Sequence, residues 1–91
     1  MERFENVPVE PDTNLLFSIE ATLGDYPVLY QKWIWDGITA DSIIFANSDV
    51  ADLDEAEILD EVRTSPLLKE ESDLTFKRAD KFTFVNFNFE M

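Results

Sequence analysis

Alternation of apolar and polar residues predicts the first strand of this chain. From residue 15 to residue 23 every second residue is apolar, with Ser18, Glu20 and Thr22 among the residues between them. A period of two is typical of a half-buried β-strand. The predicted buried face consists of Leu15, Phe17, Ile19, Ala21 and Leu23. Gly24-Asp25 follows, and glycine at the first central position favours a two-residue type II′ hairpin turn.

The return strand, residues 26–35, has a less regular pattern. Its apolar residues before Gln31 share one parity, whereas Trp33 and Trp35 share the other. Either a bulge near Gln31-Lys32 shifts the phase, or both faces of the strand are covered. Gly37 ends this strand. The short β-branched run at residues 42–46 then predicts a third strand, with a helical turn from residue 39 as the alternative.

One helix is predicted, over residues 53–63. Asp52 is a suitable N-cap, and Glu55 stands three residues later as its capping-box partner. Pro66 ends the helix, because proline disfavours helical geometry in the residue before it. At a helical period, Ile58, Leu59 and Val62 form an apolar stripe, and Asp54, Glu57, Asp60 and Glu61 lie on the opposite side.

The remaining segments complete a single domain. Residues 74–78 and 81–91 predict a C-terminal hairpin around Ala79-Asp80. In its second strand Phe82 and Phe84 have one parity and the later apolar residues the other, so a bulge or burial on both faces is expected. At a sheet edge this Phe-rich strand would allow a homodimer through strand pairing.

The order of these elements predicts the fold class. Residues 1–12 are expected to form an extended N-terminal arm, because two prolines oppose helix there, and Phe4 and Val7 are available as anchors. Residues 13–91 form one acidic domain in the order β-β-β-α-β-β. This is an α+β fold, an antiparallel sheet of four to five strands with one helix packed on a face.

Composition supports a folded protein outside the membrane. Apolar residues are 45% of the 91-residue chain, too many for a disordered acidic tail. The N-terminus has no basic stretch followed by an apolar run, and no segment approaches the roughly 18 apolar residues of a transmembrane helix. We therefore expect a cytoplasmic protein, located in the host cytoplasm if a phage encodes it.

The side chains available for catalysis are few. Histidine and cysteine are both absent, which removes the usual general base, thiolate nucleophiles and most transition-metal ligands. With only two glycines, no phosphate-binding loop is present. Asp52-x-Asp54 resembles the start of an EF-hand loop, but Ala56, Glu57 and Arg63 stand at its ligand, turn and closing positions. We expect no enzyme activity, no cofactor and no metal site.

Charge is the feature that points to function. The net charge is −13, and residues 49–73 contain ten acids and two cations. Such a field repels nucleic acids and anionic membranes and attracts basic protein surfaces. The helix macrodipole accounts for acids in the first turn. It does not account for Glu57 and Glu61, which are four apart with no cation between them, an unfavourable arrangement for stability alone.

We interpret the helix carboxylates as a surface for a basic partner. This acidic ridge consists of Asp54, Glu57, Asp60 and Glu61, extended by Glu70, Glu71 and Asp73. A spaced row of carboxylates mimics nucleic-acid phosphates, which basic grooves bind largely without reading sequence. A solvated acidic face is the alternative. Lys77, Arg78 and Lys81 cluster near the C-terminal turn and are expected to pair with the ridge within the protein or across a dimer.

Trp33 and Trp35 have two interpretations. On one face of a strand they are expected to pack in the core or against the helix. If exposed, they would be aromatic anchors for a partner.

In charge and size the chain resembles the small acidic proteins that inhibit nucleic-acid-binding enzymes, such as anti-restriction, anti-CRISPR and glycosylase-inhibiting proteins of phages and mobile elements. This resemblance implies a DNA mimic that blocks a basic site. An immunity or antitoxin-type protein and a generic acidic interaction module are the alternatives.

Overall fold

The computed structural model describes residues 4–8, 12–70 and 72–91. Over these residues it confirms the predicted α+β fold, with five strands and one α-helix in the expected order. The elements are β1 (Asn14–Leu23), β2 (Tyr26–Trp35), β3 (Ile38–Ala46), α1 (Glu55–Arg63), β4 (Thr75–Arg78) and β5 (Phe82–Glu90). The strands form one sheet in the order β1-β2-β3-β5-β4, and all neighbouring pairs are antiparallel.

Two tight turns connect the first three strands. In the first turn Gly24 has a φ of 58°, and the register pairs Leu23 with Tyr26, as the predicted two-residue turn requires. The second turn is Asp36-Gly37, whose φ values are 49° and 78°. Two successive positive φ values are typical of a type I′ hairpin turn. The third strand therefore begins at residue 38, and the predictions of a start at 42 or a helical turn from 39 are wrong.

The bulge lies in β1, and the prediction of one near Gln31-Lys32 is wrong. Pairing between β2 and β3 is continuous, whereas the β1–β2 register shifts between Leu15 and Phe17. The extra residue at this shift turns Leu15 to the face opposite Phe17, so the two do not share a face as predicted. The predicted burial of this face is also wrong, because β1 is an edge strand in which only Leu23 is buried. The second interpretation of β2 holds, because its Trp residues lie on one face and Val28 packs in the core on the other.

The main core lies between α1 and one face of the sheet, called here the helix face. Ile58 and Val62 of α1 are fully buried there. The sheet residues of this core share a parity within each strand. They are Leu23, Val28, Ile43, Phe45, Val85 and Phe87. Burial of this apolar area is the main force that holds the helix on the sheet.

A smaller cluster covers part of the opposite face of the sheet. Leu29, Ile44 and Phe82 form it, and Phe4 and Val7 pack against it. The rings of Phe4 and Phe82 stack with centroids 6.4 Å apart. The described part of the arm is not extended throughout, because a turn at residue 6 has a φ of 59°.

The helix begins two residues later than predicted. Asp54, not Asp52, is the N-cap, and Glu57, not Glu55, is its capping-box partner. The Asp54 carboxylate accepts a bond from the Glu57 N–H at 2.9 Å, and the Glu57 side chain accepts from the Asp54 N–H at 3.2 Å. Leu53 lies outside the helix, and its carbonyl accepts a bond from Arg78 at 3.3 Å. The predicted end of the helix at residue 63 is confirmed.

Strand β5 lies inside the sheet, between β3 and β4. The condition for a homodimer through this strand, a position at the sheet edge, is therefore not met. Its apolar residues are buried on both faces, with Phe82 in the smaller cluster and Phe87 in the main core. A register shift near its end places Asn88 at a φ of 56°. Burial on two faces therefore explains the change of parity between Phe84 and Val85, where the pairing is continuous, and the bulge at Asn88 is a separate feature.

A buried polar network surrounds Asn88. Its amide Nδ2 donates to Asp41 Oδ2 at 2.8 Å and to the Leu67 carbonyl at 2.7 Å, and its Oδ1 accepts from the Lys69 N–H at 2.8 Å. Lys32 Nζ lies 2.8 Å from the other Asp41 oxygen. Asp41 and Asn88 are 4% and 6% exposed. This Asp41–Asn88 network ties the segment after α1 to the end of the sheet.

The same network affects Tyr30. Burial, followed by the nearby negative charge of Asp41, raises the pKa of Tyr30 from 10.0 to about 12. The folded state therefore retains this proton at pH values where the unfolded chain has lost it. Stability from Tyr30 is complete below pH 10 and is lost as the pH rises towards 12.

We therefore expect alkali to separate the wild type from a Tyr30→Phe variant. Between pH 10 and 12 the wild-type free energy of unfolding should fall by up to about 2–3 kcal/mol more than that of the variant. Urea denaturation at several pH values, with ultraviolet titration of the tyrosine absorbance, checks this. Parallel pH profiles for the two proteins would show that Tyr30 is an ordinary phenol.

Candidate functional site

The helical part of the acidic ridge is exposed. Asp54, Glu57 and Asp60 are all exposed to solvent, and they follow one another at intervals of three residues. In an α-helix this spacing places side chains on one face, with about 4.5 Å of rise between them. The fold thus brings these three predicted residues together in a row.

Two members of this row also have a structural role. Asp54 and Glu57 bond reciprocally at the start of α1, which satisfies two N–H groups that the helix leaves without partners. The interpretation of Glu57 as unfavourable for stability is therefore wrong. Its position at the third helical residue is explained by the capping box, and the helix N-terminus further favours the charge.

Glu61 differs from the rest of the ridge. It is only partly exposed, and its Oε2 lies 3.0 Å from the position that a Cβ at residue 24 would occupy. The Glu61 side chain therefore lies over the turn between β1 and β2. Gly24 leaves room for it because glycine has no side chain, and its positive φ independently disfavours other residues.

The predicted extension of the ridge lies apart from the helix start. Glu70 and Asp73 are exposed on the segment between α1 and β4, and Glu71 lies outside the described residues. The segment that follows α1 is located by Lys69, which bonds to Asn88 of β5. The start of the helix is located by Leu53, which bonds to Arg78, the residue that pairs with Thr83 of β5. Residues 83 and 88 are separated by about 17 Å along β5. The acidic residues thus form a row on α1 and a second patch near the end of β5.

The nearby cations contact other groups. Arg78 Nε donates to Thr83 Oγ1 at 3.2 Å, and its guanidinium lies 5.8 Å from the centre of the Phe76 ring. Its contact with the start of the helix is to the Leu53 carbonyl and not to a ridge carboxylate. Lys69 forms an ion pair with Glu90, and this bond lowers the pKa of the Glu90 carboxyl. The expected pairing of Arg78 with the ridge is therefore replaced by a main-chain contact.

A groove occupies the sheet face opposite the helix. It has a volume of about 420 Å³ and includes Trp33 and Trp35 in its lining. Trp33 is partly buried, and Trp35 is 45% exposed. Neither packs against the helix, because both lie on the far side of the sheet. The prediction that they pack against the helix is wrong.

The floor of the groove is a polar row across three strands. Gln31 of β2 pairs with Ser42 of β3, which pairs with Asn86 of β5. The Trp33 indole N–H donates to Ser42 Oγ at 2.7 Å, and Ser42 donates to Asn86 Oδ1 at 2.5 Å. Sequence reasoning missed this groove. The pattern that could have revealed it is one polar residue in each of three strands, paired across the sheet. This pattern can be recognised only once the strand register is known.

The described residues limit two further possibilities. Within residues 4–8, 12–70 and 72–91, no group of three or more carboxylate, histidine or cysteine side chains is placed to hold a metal ion. No helix in the same part of the chain has the length and apolar character needed to cross a membrane.

Comparisons with protein-family models, curated proteins and solved structures find no match. Function is therefore inferred from the surfaces themselves.

Proposed function

We propose that this protein is a non-enzymatic inhibitor that presents α1 to the basic site of a nucleic-acid-binding protein. The observation that carries the proposal is the exposed row of Asp54, Glu57 and Asp60 on a capped helix, in a chain of net charge −13. In this role the protein acts in the cytoplasm of a host cell, in the manner of the anti-restriction and anti-CRISPR proteins of phages and mobile elements.

The geometry of the row suits a phosphate mimic. Three residues rise by about 4.5 Å along a helix axis, which sets the spacing of the residues in the row. Phosphates of one DNA strand rise by about 3.4 Å. A groove lined with Lys and Arg binds such a row through charge, with little dependence on the groups between the charges. Because α1 is capped and its buried side is packed on the sheet, the row keeps its spacing before binding.

Neutral amides provide a variant that removes the charge and keeps the helix. In Asp54→Asn/Glu57→Gln/Asp60→Asn, asparagine still accepts at the N-cap and glutamine still suits the third helical position. We expect the affinity for the partner to fall at least about tenfold, as for interfacial charge pairs. Circular dichroism should show unchanged helix content. The measurement is retention of partners from host-cell lysate on tagged protein, with elution by a salt gradient.

The outcomes of this capture separate the proposals. A basic nucleic-acid-binding protein that elutes at moderate salt, is displaced by duplex DNA or RNA, and is lost with the triple variant supports the inhibitor. If the triple variant retains the same proteins at the same salt concentration, the row of carboxylates on α1 does not mediate binding.

The groove favours one alternative, an acidic interaction module or immunity-type protein. Trp35 is 45% exposed beside a concave surface, an arrangement that suits an aromatic anchor. A partner held through the groove would resist salt, ignore nucleic acid, and be lost with Trp35→Ala instead of the triple variant. The same capture experiment therefore distinguishes this function from the first.

A further inference from the structure

The two edges of the sheet are built differently. The β4 edge has four residues, Thr75–Arg78, and ends with two cations. The β1 edge has ten residues, Asn14–Leu23, and Glu20 is its only charged residue. Proteins usually protect sheet edges from other strands with short strands and charges. The β4 edge has both protections. In the regular part of β1, which follows its bulge, Glu20 is the only protection of the edge.

Apolar side chains are concentrated on this unprotected edge. Leu16, Phe17 and Ile19 are 54%, 42% and 55% exposed. Phe17 contacts the Tyr30 ring edge-on with centroids 5.3 Å apart, which covers only its inner side. These three residues are among the eight large apolar residues of the described chain that are more than a third exposed. The edge therefore has the composition of a contact surface.

The main chain specifies what kind of group fits there. In a two-residue hairpin the pair that flanks the turn exchanges both backbone bonds, so Leu23, Ala21 and Ile19 bond to β2. The residues between them direct their N–H and C=O groups away from the sheet. Within the described residues no strand pairs with this side of β1. Regular backbone partners at this spacing come only from another extended strand.

We propose that the strand is β1 of a second copy, paired antiparallel about a two-fold axis at Ile19. In this register Ile19 faces Ile19 of the other copy, Phe17 faces Ala21, and Ser18 faces Glu20. A two-fold axis at Glu20 would instead place two like charges opposite each other. An axis at Ser18 would pair the bulged residue Leu16 with Glu20. The Ile19 axis needs only the regular part of the strand.

Charge and area define the character of this dimer. Each copy has a net charge of −13, so long-range repulsion opposes association. The repulsion is weakest at the β1 edge, which has one charged residue in ten. The regular overlap of five residues, 17–21, covers a strip of about 17 by 10 Å, or roughly 340 Å² for both copies. Stable interfaces bury about 1,200–2,000 Å². The dimer is therefore a dissociable one that added salt strengthens by screening.

Cysteine crosslinking tests the register, because the chain has no cysteine of its own. Across the axis, Ile19→Cys places its two Cα atoms about 4.5 Å apart, as in non-hydrogen-bonded pairs, within the range for a disulfide. Ala21→Cys is the matched control on the same face, with its two copies about 14 Å apart along the strand. We expect mild oxidation to crosslink only the first variant. Equal crosslinking of both, or of neither, would overturn the proposed register.

Sedimentation of the unmodified chain tests the dimer itself. Its average mass should rise with concentration and with salt, whereas Ile19→Lys should weaken association at least about tenfold by placing two cations face to face. The triple amide variant should dimerise at least as well as the wild type, which separates this inference from the function of the ridge. If the chain at high salt stays a monomer at every concentration, the proposal is overturned. It is also overturned if the chain stays monomeric but binds a strand of another protein in a way that depends on Ile19.

Discussion

Replacing Asn88 with alanine is expected to lower the free energy of unfolding by about 4 kcal/mol, a large part of the stability of a small domain. The amide makes two donor bonds, to the buried Asp41 carboxylate and the Leu67 carbonyl, and accepts one from Lys69. Alanine satisfies none of these groups, and each buried polar group without a partner costs about 1–3 kcal/mol. Equilibrium urea denaturation measures the difference.

Asn88→Gly divides this loss into its parts. Asn88 has a φ of 56°, which asparagine tolerates and alanine does not. Glycine adopts this conformation freely but loses the same side-chain bonds. We expect it to be more stable than the alanine variant by about 1 kcal/mol, the contribution of backbone strain. If both variants unfold within about 1 kcal/mol of the wild type, water replaces the amide and the network does not stabilise the segment after α1.

Local signals predicted the elements that depend on neighbouring residues alone. Alternation before Gly24-Asp25 identified the first hairpin, and the apolar stripe before Pro66 identified the helix and its end. In the helix the apolar stripe is buried, and the period of the sequence reports that face directly. In β1 the alternation identified the strand but not its burial, because β1 is an edge strand and only Leu23 of its predicted face is buried. The order of these elements then indicates an α+β fold, because a short helix among antiparallel strands has only a sheet face to cover.

Three predictions were wrong for different reasons. The extra residue in β1 lies within an apolar run, where alternation does not reveal that Leu15 changes face. Asp52 and Asp54 both begin an Asp-x-x-Glu pattern, so the pattern alone offers two N-caps, and the second forms the capping box. The Asp36-Gly37 turn is different, because its signal was present in the sequence and outweighed by the run at 42–46.

The candidate surfaces were predictable to different degrees. The exposed row on α1 follows from helix periodicity, so Asp54, Glu57 and Asp60 were found from the sequence alone. The partial exposure of Glu61 reflects its position over the turn at Gly24, which is distant along the chain. The groove and the free edge of β1 depend on strand order and register, which long-range pairing sets.

Replacing Ile58 with alanine is expected to lower the free energy of unfolding by about 3–4 kcal/mol. It should also allow α1 to open locally while the sheet remains folded. Ile58 is fully buried in the main core. The helix has nine residues, and isolated helices shorter than about 12–15 residues are marginal in water. Docking through Ile58 and Val62 therefore maintains the row of carboxylates. Hydrogen exchange should show the α1 amides exchanging through local opening, at rates well above those of β3 and β5.

Leu59→Ala is the matched control, because Leu59 is adjacent on the same helix but only partly buried. It should reduce stability by roughly 1–2 kcal/mol and leave the α1 amides protected. If docking presents the ridge, Ile58→Ala should also weaken partner retention, although it removes no charge, and Leu59→Ala should not. Equal α1 protection in both variants would show that the capping box of Asp54 and Glu57 suffices to hold the helix. The spacing of the carboxylates would then be a property of the helix alone and not of its packing on the sheet.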